Sequence, residues 1–251
     1  MNQAISLSLF RFSGAGGAAW AFSQMGLSRG GFGRIPGIGF AKMFGTGTGE
    51  GFTPVPNLGV YGLMATWPDL NTAQEAIERA PVYRRYRDHA VEDFTVHLEA
   101  ISARGAWDGD NPFVIHDVDG PPPLPMAVLT RATVKPRHVV SFWRAQPDIS
   151  EVIGNQPHML FKIGMGEVPW FQQVTFSIWD DVEAMKTFAH KHGPHADAIR
   201  KVRDNRWFAE ELYARFRVTG HSGQWDGQDP LARSKSPDAP AVKPGSDMRA
   251  A

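Results

Sequence analysis

The strongest constraint on this chain is that its two halves read as one plan written twice. The first half runs through GTGE (Gly47–Glu50), LGVYGLMATWPD, a helical stretch and AWDG (Ala106–Gly109). The second runs through GMGE (Gly164–Glu167), QQVTFSIWDD, a helical stretch and QWDG (Gln224–Gly227). Trp67 thereby answers Trp179, and Trp107 answers Trp225. Upstream, SLSLFRF laid on MAVLTRA sets Arg11 against Arg131. Four features recur in one order, and their spacings differ only by what loops absorb.

Each half repeats the same order of elements. Alternating apolar residues predict strands at 5–12, 38–46, 58–66 and 95–103, with helices at 18–29 and 71–93, the latter interrupted near Pro81. The second half predicts strands at 126–134, 158–164, 172–179 and 212–219, a short helix at 138–144 and helical sequence over 181–209. An aspartate cap at Asp180 precedes the stripe Val182, Met185, Phe188. This order is β-α-β-β-α-β twice, the ferredoxin-like split motif. One such unit leaves a sheet face bare, and two in one chain can cover each other. The expected fold is α+β: two ferredoxin-like repeats forming a dimeric-α+β-barrel-like unit. Residues 1–110 form the first repeat, 111–125 a proline-rich connector, 126–225 the second repeat, and 226–251 a disordered tail.

Composition narrows the chemistry. Lys plus Arg and Asp plus Glu are both 26, and no basic block stands out, which argues against nucleic acid. The absence of cysteine excludes disulfides, thiolate-ligated haem, iron–sulfur clusters and cysteine zinc sites. The N-terminus predicts no signal peptide, and no apolar run approaches the ~20 residues of a membrane span, so the chain is expected to be cytoplasmic or held on a membrane surface. The run GTGTGEGF lacks the strand–GxGxxG–helix context of a nucleotide cradle and reads as a tight connection between strands. Glu210–Glu211 reads as a solvated face.

Three histidines fall together in FAHKHGPHADAIR. His190 and His192 flank Lys191 at a helix end, where exposure is usual. Gly193–Pro194 breaks the helix and starts the next one. His195, Ile199 and Val202 then recur on one inward face. In the first half Pro81–Val82 stands where Pro194–His195 stands in the second, so packing there does not require an imidazole. Two readings stay open for His195: a ligand or catalytic group, or a satisfied core histidine. A single inward histidine suits haem better than zinc, because haem iron needs one proximal ligand and zinc needs three. Trp170 and Trp207 have no tryptophan twin and, with Lys162 and Arg131, are pocket candidates.

Longer runs carry a resemblance. FKIGMGEVPWFQQVTFSIWDD, GPHADAIRKVRDNRWFAEELYARFRV, TRATVKPRHVVSFWRAQPDIS, and SLSLFRF with GTGTGEGFTPVPN are together similar to the spheroidene monooxygenase family, the acyclic carotenoid 2-ketolases of purple bacteria. The similarity spans about residues 4–220. It implies a haem (iron) monooxygenase that takes electrons from reduced ferredoxin. It implies oxidation of spheroidene to spheroidenone at the C-2 methylene, and a peripheral contact with the intracytoplasmic photosynthetic membrane in which the carotenoid dissolves. His195 is then the expected axial ligand, with residues 126–225 as the haem side. Alternatives of another class are a non-catalytic haem- or carotenoid-binding module and a cofactor-free quinone-type monooxygenase on the same barrel.

Overall fold

The computed structural model describes residues 2–49, 53–116, 120–144, 156–190 and 206–234. Eight strands are present: β1 (Ala4–Arg11), β2 (Ala41–Gly47), β3 (Pro56–Trp67), β4 (Glu92–Gly105), β5 (Met126–Val134), β6 (Met159–Gly166), β7 (Gln172–Trp179) and β8 (Phe208–Gly223). They close into an antiparallel barrel in the order β1-β3-β2-β6-β7-β5-β8-β4. The helices are α1 (Gly14–Leu27), α2 (Arg29–Phe32), α3 (Leu70–Arg79), α4 (Pro81–His89), α5 (Val139–Arg144) and α6 (Val182–His190). The architecture is mixed α+β around an eight-stranded antiparallel barrel. Among the described residues no helix is long and apolar enough to cross a membrane.

Alternation along the strands decides what fills the barrel. Ile5, Leu7 and Leu9 of β1 join Phe94, Val96 and Leu98 of β4, Val174, Phe176 and Ile178 of β7, and Leu212, Ala214 and Phe216 of β8 in one interior cluster. The opposite face of the first half is closed by helices: Phe10, Tyr61, Leu63 and Ala65 pack under Ala21 of α1, Ala73 and Ile77 of α3, and Val82, Tyr83 and Tyr86 of α4. The second half carries two small outer clusters, Met126–Trp179–Met185 and Val134–Phe142–Trp207.

The ladders give the correspondence between halves by register. With Trp67 set on Trp179, Ala4 matches Met126, Leu9 matches Arg131, Arg11 matches Thr133 and Gly45 matches Gly166. This corrects two alignments read from sequence. Arg11 and Arg131 are not twins, because they sit two residues apart along their strands. The GTGE and GMGE runs are likewise out of register. Other corrections are local. The first helix starts at Gly14, earlier than expected. Residues 208–211 open β8 rather than ending a helix, because Glu210, Glu211 and Leu212 pair with Thr133, Ala132 and Arg131. Asp181, not Asp180, caps α6 by accepting from the Ala184 N–H at 2.6 Å, while Asp180 holds His158 at 2.9 Å.

The repeated tryptophan turn is longer than its three shared letters. Gly105 and Gly223 both have φ in the left-handed half, at 101° and 85°, and a Cβ would come 2.1 Å from the Glu211 carbonyl oxygen and 2.2 Å from that of Asp93. Only glycine fits either place. Trp107 then bridges Asp110, and Trp225 bridges Gln228. Asn111 and Asp229 each accept the N–H two residues on, from Phe113 at 3.1 Å and Leu231 at 2.8 Å. Phe113 and Leu231 are both buried in the barrel core. The turn thus delivers one plug from residues 111–125 and another from residues 226–234. Residues 117–119 and 235–251 of the expected connector and tail lie outside the described residues.

Candidate functional site

The two halves meet along two seams. β4 and β8 pair along nearly their whole length, whereas β2 and β6 pair only at Gly45–Gly166 and Thr46–Met165. The sparse seam leaves a place on each side of it, and the side chains treat the two places differently.

One place is filled by charge. Arg131 occupies the inward position that Leu9 takes in the first half, and its side chain is 1% exposed. Its guanidinium bonds Glu210, lies 3.6 Å from Asp108 and 3.9 Å from Glu167, and sits over Trp107 at 5.7 Å. Lys42 of β2 bridges Glu167 and Asp108, and the Trp107 indole N–H donates to Glu167 at 2.7 Å. Glu210 also accepts the N–H groups of Asp108 at 3.0 Å and Gly109 at 2.7 Å. Burial works against the Glu210 carboxylate, but the Gly109 and Asp108 amides and the Arg131 guanidinium hold its pKa below the usual range. Glu210 is therefore not the solvated residue its doublet suggests, and Lys42, Glu167 and Asp108 carried no sequence signal for this role. Buried charges are tolerated when opposite charges surround them, and three carboxylates face this guanidinium, although its Nε makes no hydrogen bond. It is a structural seal.

The other place is open. Its register twins replace Lys42 with Ile163 and put Thr46 beside the position of Glu167. Trp225 and Asp226 stand where Trp107 and Asp108 stand on the sealed side. The cation here is Arg11, from the strand end: it pairs with Glu92 at 3.3 Å and Asp226 at 2.7 Å and lies 4.4 Å over the Trp225 ring. A cleft of about 640 Å³ results, with Phe12, Val60, Met159, Leu160, Phe161 and Ile163 as its apolar lining and Arg11, Thr46, Asn57, Gln156, Lys162 and Asp226 as its polar lining. Polar and apolar side chains share this lining, and converging polar groups in a concave place are a feature of small-molecule sites.

The residues singled out from sequence are dispersed. Lys162 lines the cleft; Arg131 belongs to the seal. Trp207 is buried with Val134 and Phe142 outside the second half's sheet. Trp170 is half-exposed, its indole N–H donating to the Pro54 carbonyl at 3.0 Å and its own carbonyl accepting from Trp143 at 3.1 Å. Neither tryptophan lines the cleft, because both fall outside the barrel wall. His192 and His195 lie outside the described residues, as does the side chain of His190. Among the described residues no cluster of three His, Asp or Glu is placed to hold a metal ion.

A third feature is the outer face of the second half, whose described residues are less deeply buried than those of the first. Ser6, Ser8, Leu63 and Ala65 of the first half are fully buried beneath helices. Their register twins are Val128, Thr130 and Ser177, all half-buried, and Thr175, which is exposed. Small side chains thus floor a flat area between the aromatic clusters of Trp179 and Trp207.

Comparison with known proteins completes the picture. The chain matches no protein-family model. Among solved structures it is similar to an aldoxime dehydratase (TM-score 0.55, 12% identity, 86% of this chain and 81% of that one) and to the aldoxime dehydratase OxdRE with butyraldoxime (TM-score 0.56, 10% identity, 96% and 87%); at these identities the likeness is one of fold. It is 49% identical over 228 residues to the spheroidene monooxygenase of Rhodobacter capsulatus, covering 90% of this chain and 95% of the relative. It is 46% identical over 237 residues to that of Cereibacter sphaeroides, covering 92% and 72%, and 35% identical over 195 residues to that of Rubrivivax gelatinosus, covering 77% and 73%. Identity of this extent, over nine-tenths of the chain, means that the chain belongs to the spheroidene monooxygenase family.

Proposed function

We propose that this protein is a haem-dependent carotenoid monooxygenase that oxidises the C-2 methylene of acyclic carotenoids, spheroidene to spheroidenone, using oxygen and reduced ferredoxin. The observation that carries the reading is the extent of identity to relatives named for spheroidene oxygenation. The cleft of about 640 Å³ is the proposed seat of the substrate's end group. Its apolar side chains take the hydrocarbon, and Asn57 and Lys162 provide polar contacts for an ether oxygen.

The outer face of the second half, less deeply buried among the described residues than that of the first, supports a haem site there. A flat floor of small residues between aromatic walls suits a flat, largely apolar ring, and the equivalent face of the first half is closed by Val82 and its neighbours. His195, which answers Val82 in the repeat, is the proposed axial ligand from the chain segment beyond α6. Haem, when bound, supplies the oxygen-activating redox chemistry. The protein's own work is to hold the end group still, exclude water from the cleft and keep the barrel sealed opposite. Two oxygenations at one methylene give a geminal diol, which loses water to leave the ketone. We also take the halves to be ferredoxin-like repeats, 1–110 and 126–225, derived by duplication. The matching strand orders β4-β1-β3-β2 and β8-β5-β7-β6 and the twin glycines 105 and 223 support that reading.

Purified protein reconstituted with haemin should show a Soret band and convert spheroidene when given oxygen and reduced ferredoxin. His195→Ala should lose most of that band. An unchanged spectrum in the variant removes His195 as ligand, and stoichiometric haem without ketone formation turns the reading to a carotenoid- or haem-binding module.

A further inference from the structure

Acidic residues are missing from the beginning of the chain. Residues 1–49 contain Arg11, Arg29, Arg34 and Lys42 and no Asp or Glu, although the whole chain balances 26 against 26. Within this region α1 carries no charged side chain at all. Its inner side buries Ala21 and Gln24 against the barrel's helical cover. Its outer side presents Ala15, Ala19, Phe22, Gly26 and Leu27, with Phe22 63% and Leu27 77% exposed. A surface helix normally places charge on its solvent side. Large apolar side chains left in the open beside cations mark a contact surface.

The cations stand at the end of that face. Arg29 and Arg34 follow α1 directly and are exposed. Exposed Arg84 and Arg85 come from α4, which packs beside α1 and α2 through Trp20 stacked on His89 at 3.9 Å and Phe32 against Tyr83 at 5.9 Å. Among the described residues none of these four arginines pairs with a carboxylate. Asp88 is the acid of α4, and Glu75 of α3 is taken by Arg79 at 2.6 Å.

We infer that α1, with Arg29, Arg34, Arg84 and Arg85, is the surface by which this protein docks on an anionic lipid bilayer. Phe22 and Leu27 enter the acyl boundary and the adjoining arginines, which lie outside α1, meet lipid phosphates. A second copy is a poor occupant, since a self-complementary contact would set four arginines against a surface whose nearby unpaired carboxylates among the described residues are Asp88 of α4 and Glu78 of α3. The position suits the proposed substrate, on which this inference rests. Phe12, just before α1, lines the cleft and packs its ring on Trp20 at 5.5 Å, so the helix lying on the bilayer borders the opening through which a membrane-dissolved chain would enter.

The test is flotation of the full-length protein with vesicles of phosphatidylcholine alone or containing about a third phosphatidylglycerol. Wild type should float with the anionic vesicles and release as salt rises. Phe22→Asp/Leu27→Asp should lower partitioning at least tenfold. Arg29→Gln/Arg34→Gln/Arg84→Gln/Arg85→Gln should remove the preference for anionic lipid. Both variants should keep the wild-type circular dichroism, melting temperature and turnover of detergent-solubilised spheroidene. Wild type that ignores anionic vesicles, or variants that float like wild type, overturns the inference. So does a sedimentation result in which wild type is dimeric and the aspartate variant monomeric, or intact vesicle binding with lost binding of an acidic electron-transfer protein. Vesicle binding through α1 without any carotenoid turnover sustains the docking face and removes the proposed function instead.

Discussion

Arg131 shows how much a single register step decides. Its twin position holds Leu9, so the second half has placed a guanidinium where the first half has plain hydrocarbon. Arg131→Leu would restore that hydrocarbon but leave Glu210, Glu167 and Asp108 facing Lys42 alone. Removing one partner of a buried ionic group typically costs about 3–5 kcal/mol, and a loss in that range is expected by urea denaturation. A change below ~1 kcal/mol would mean that the network is solvated and does not act as a seal. The presence of a buried arginine was legible in the sequence only as a candidate. Its partners were not, because Lys42, Asp108, Glu167 and Glu210 are distant in the chain and acquire a common address only through barrel closure.

At the scale of elements, most strands and helices were readable because alternation and capping are local. β8 was not fully so: RWFAEELYARFR satisfies a helical pattern as well as a strand pattern, and pairing with both β4 and β5 settles it. The start of α6 was misassigned by one residue for a similar reason. Two adjacent aspartates compete, and His158 claims Asp180, leaving Asp181 to cap. Asp181→Ala should therefore destabilise the protein by about 1 kcal/mol in thermal unfolding, as loss of a capping side chain does, while Asp180→Ala should leave the α6 amide of Ala184 protected from hydrogen exchange. Equal loss of protection in both variants would reverse the assignment. The tryptophan turn common to both halves was recognised by three letters but extends to Phe113 and Leu231, which the sequence does not reveal since those two residues differ in kind and share only burial.

The whole molecule adds a pH dependence that no single element contains. His97 of β4 is buried at the well-paired seam, and burial, helped by nearby His221, pushes its pKa down to about 4 from 6.5. The folded state therefore favours neutral imidazole. Stability from this group is present above pH 6.5 and is lost as pH falls from 6.5 through about 4, up to roughly 3 kcal/mol. His97→Gln should flatten the stability profile in that window, and an unflattened profile would assign the acid sensitivity to carboxylates such as Glu210. By itself the sequence determined the α+β class, most strands and the family, because periodicity, turn chemistry and long shared runs are properties of neighbouring residues. Only the tertiary structure decided that Arg11 and Arg131 are not twins, that one side of the thin seam is sealed and the other open, and that the described residues of the second half's outer face are less deeply buried than those of the first. Those are consequences of register, and register is set by closing the barrel with every strand at once rather than by any stretch of chain alone.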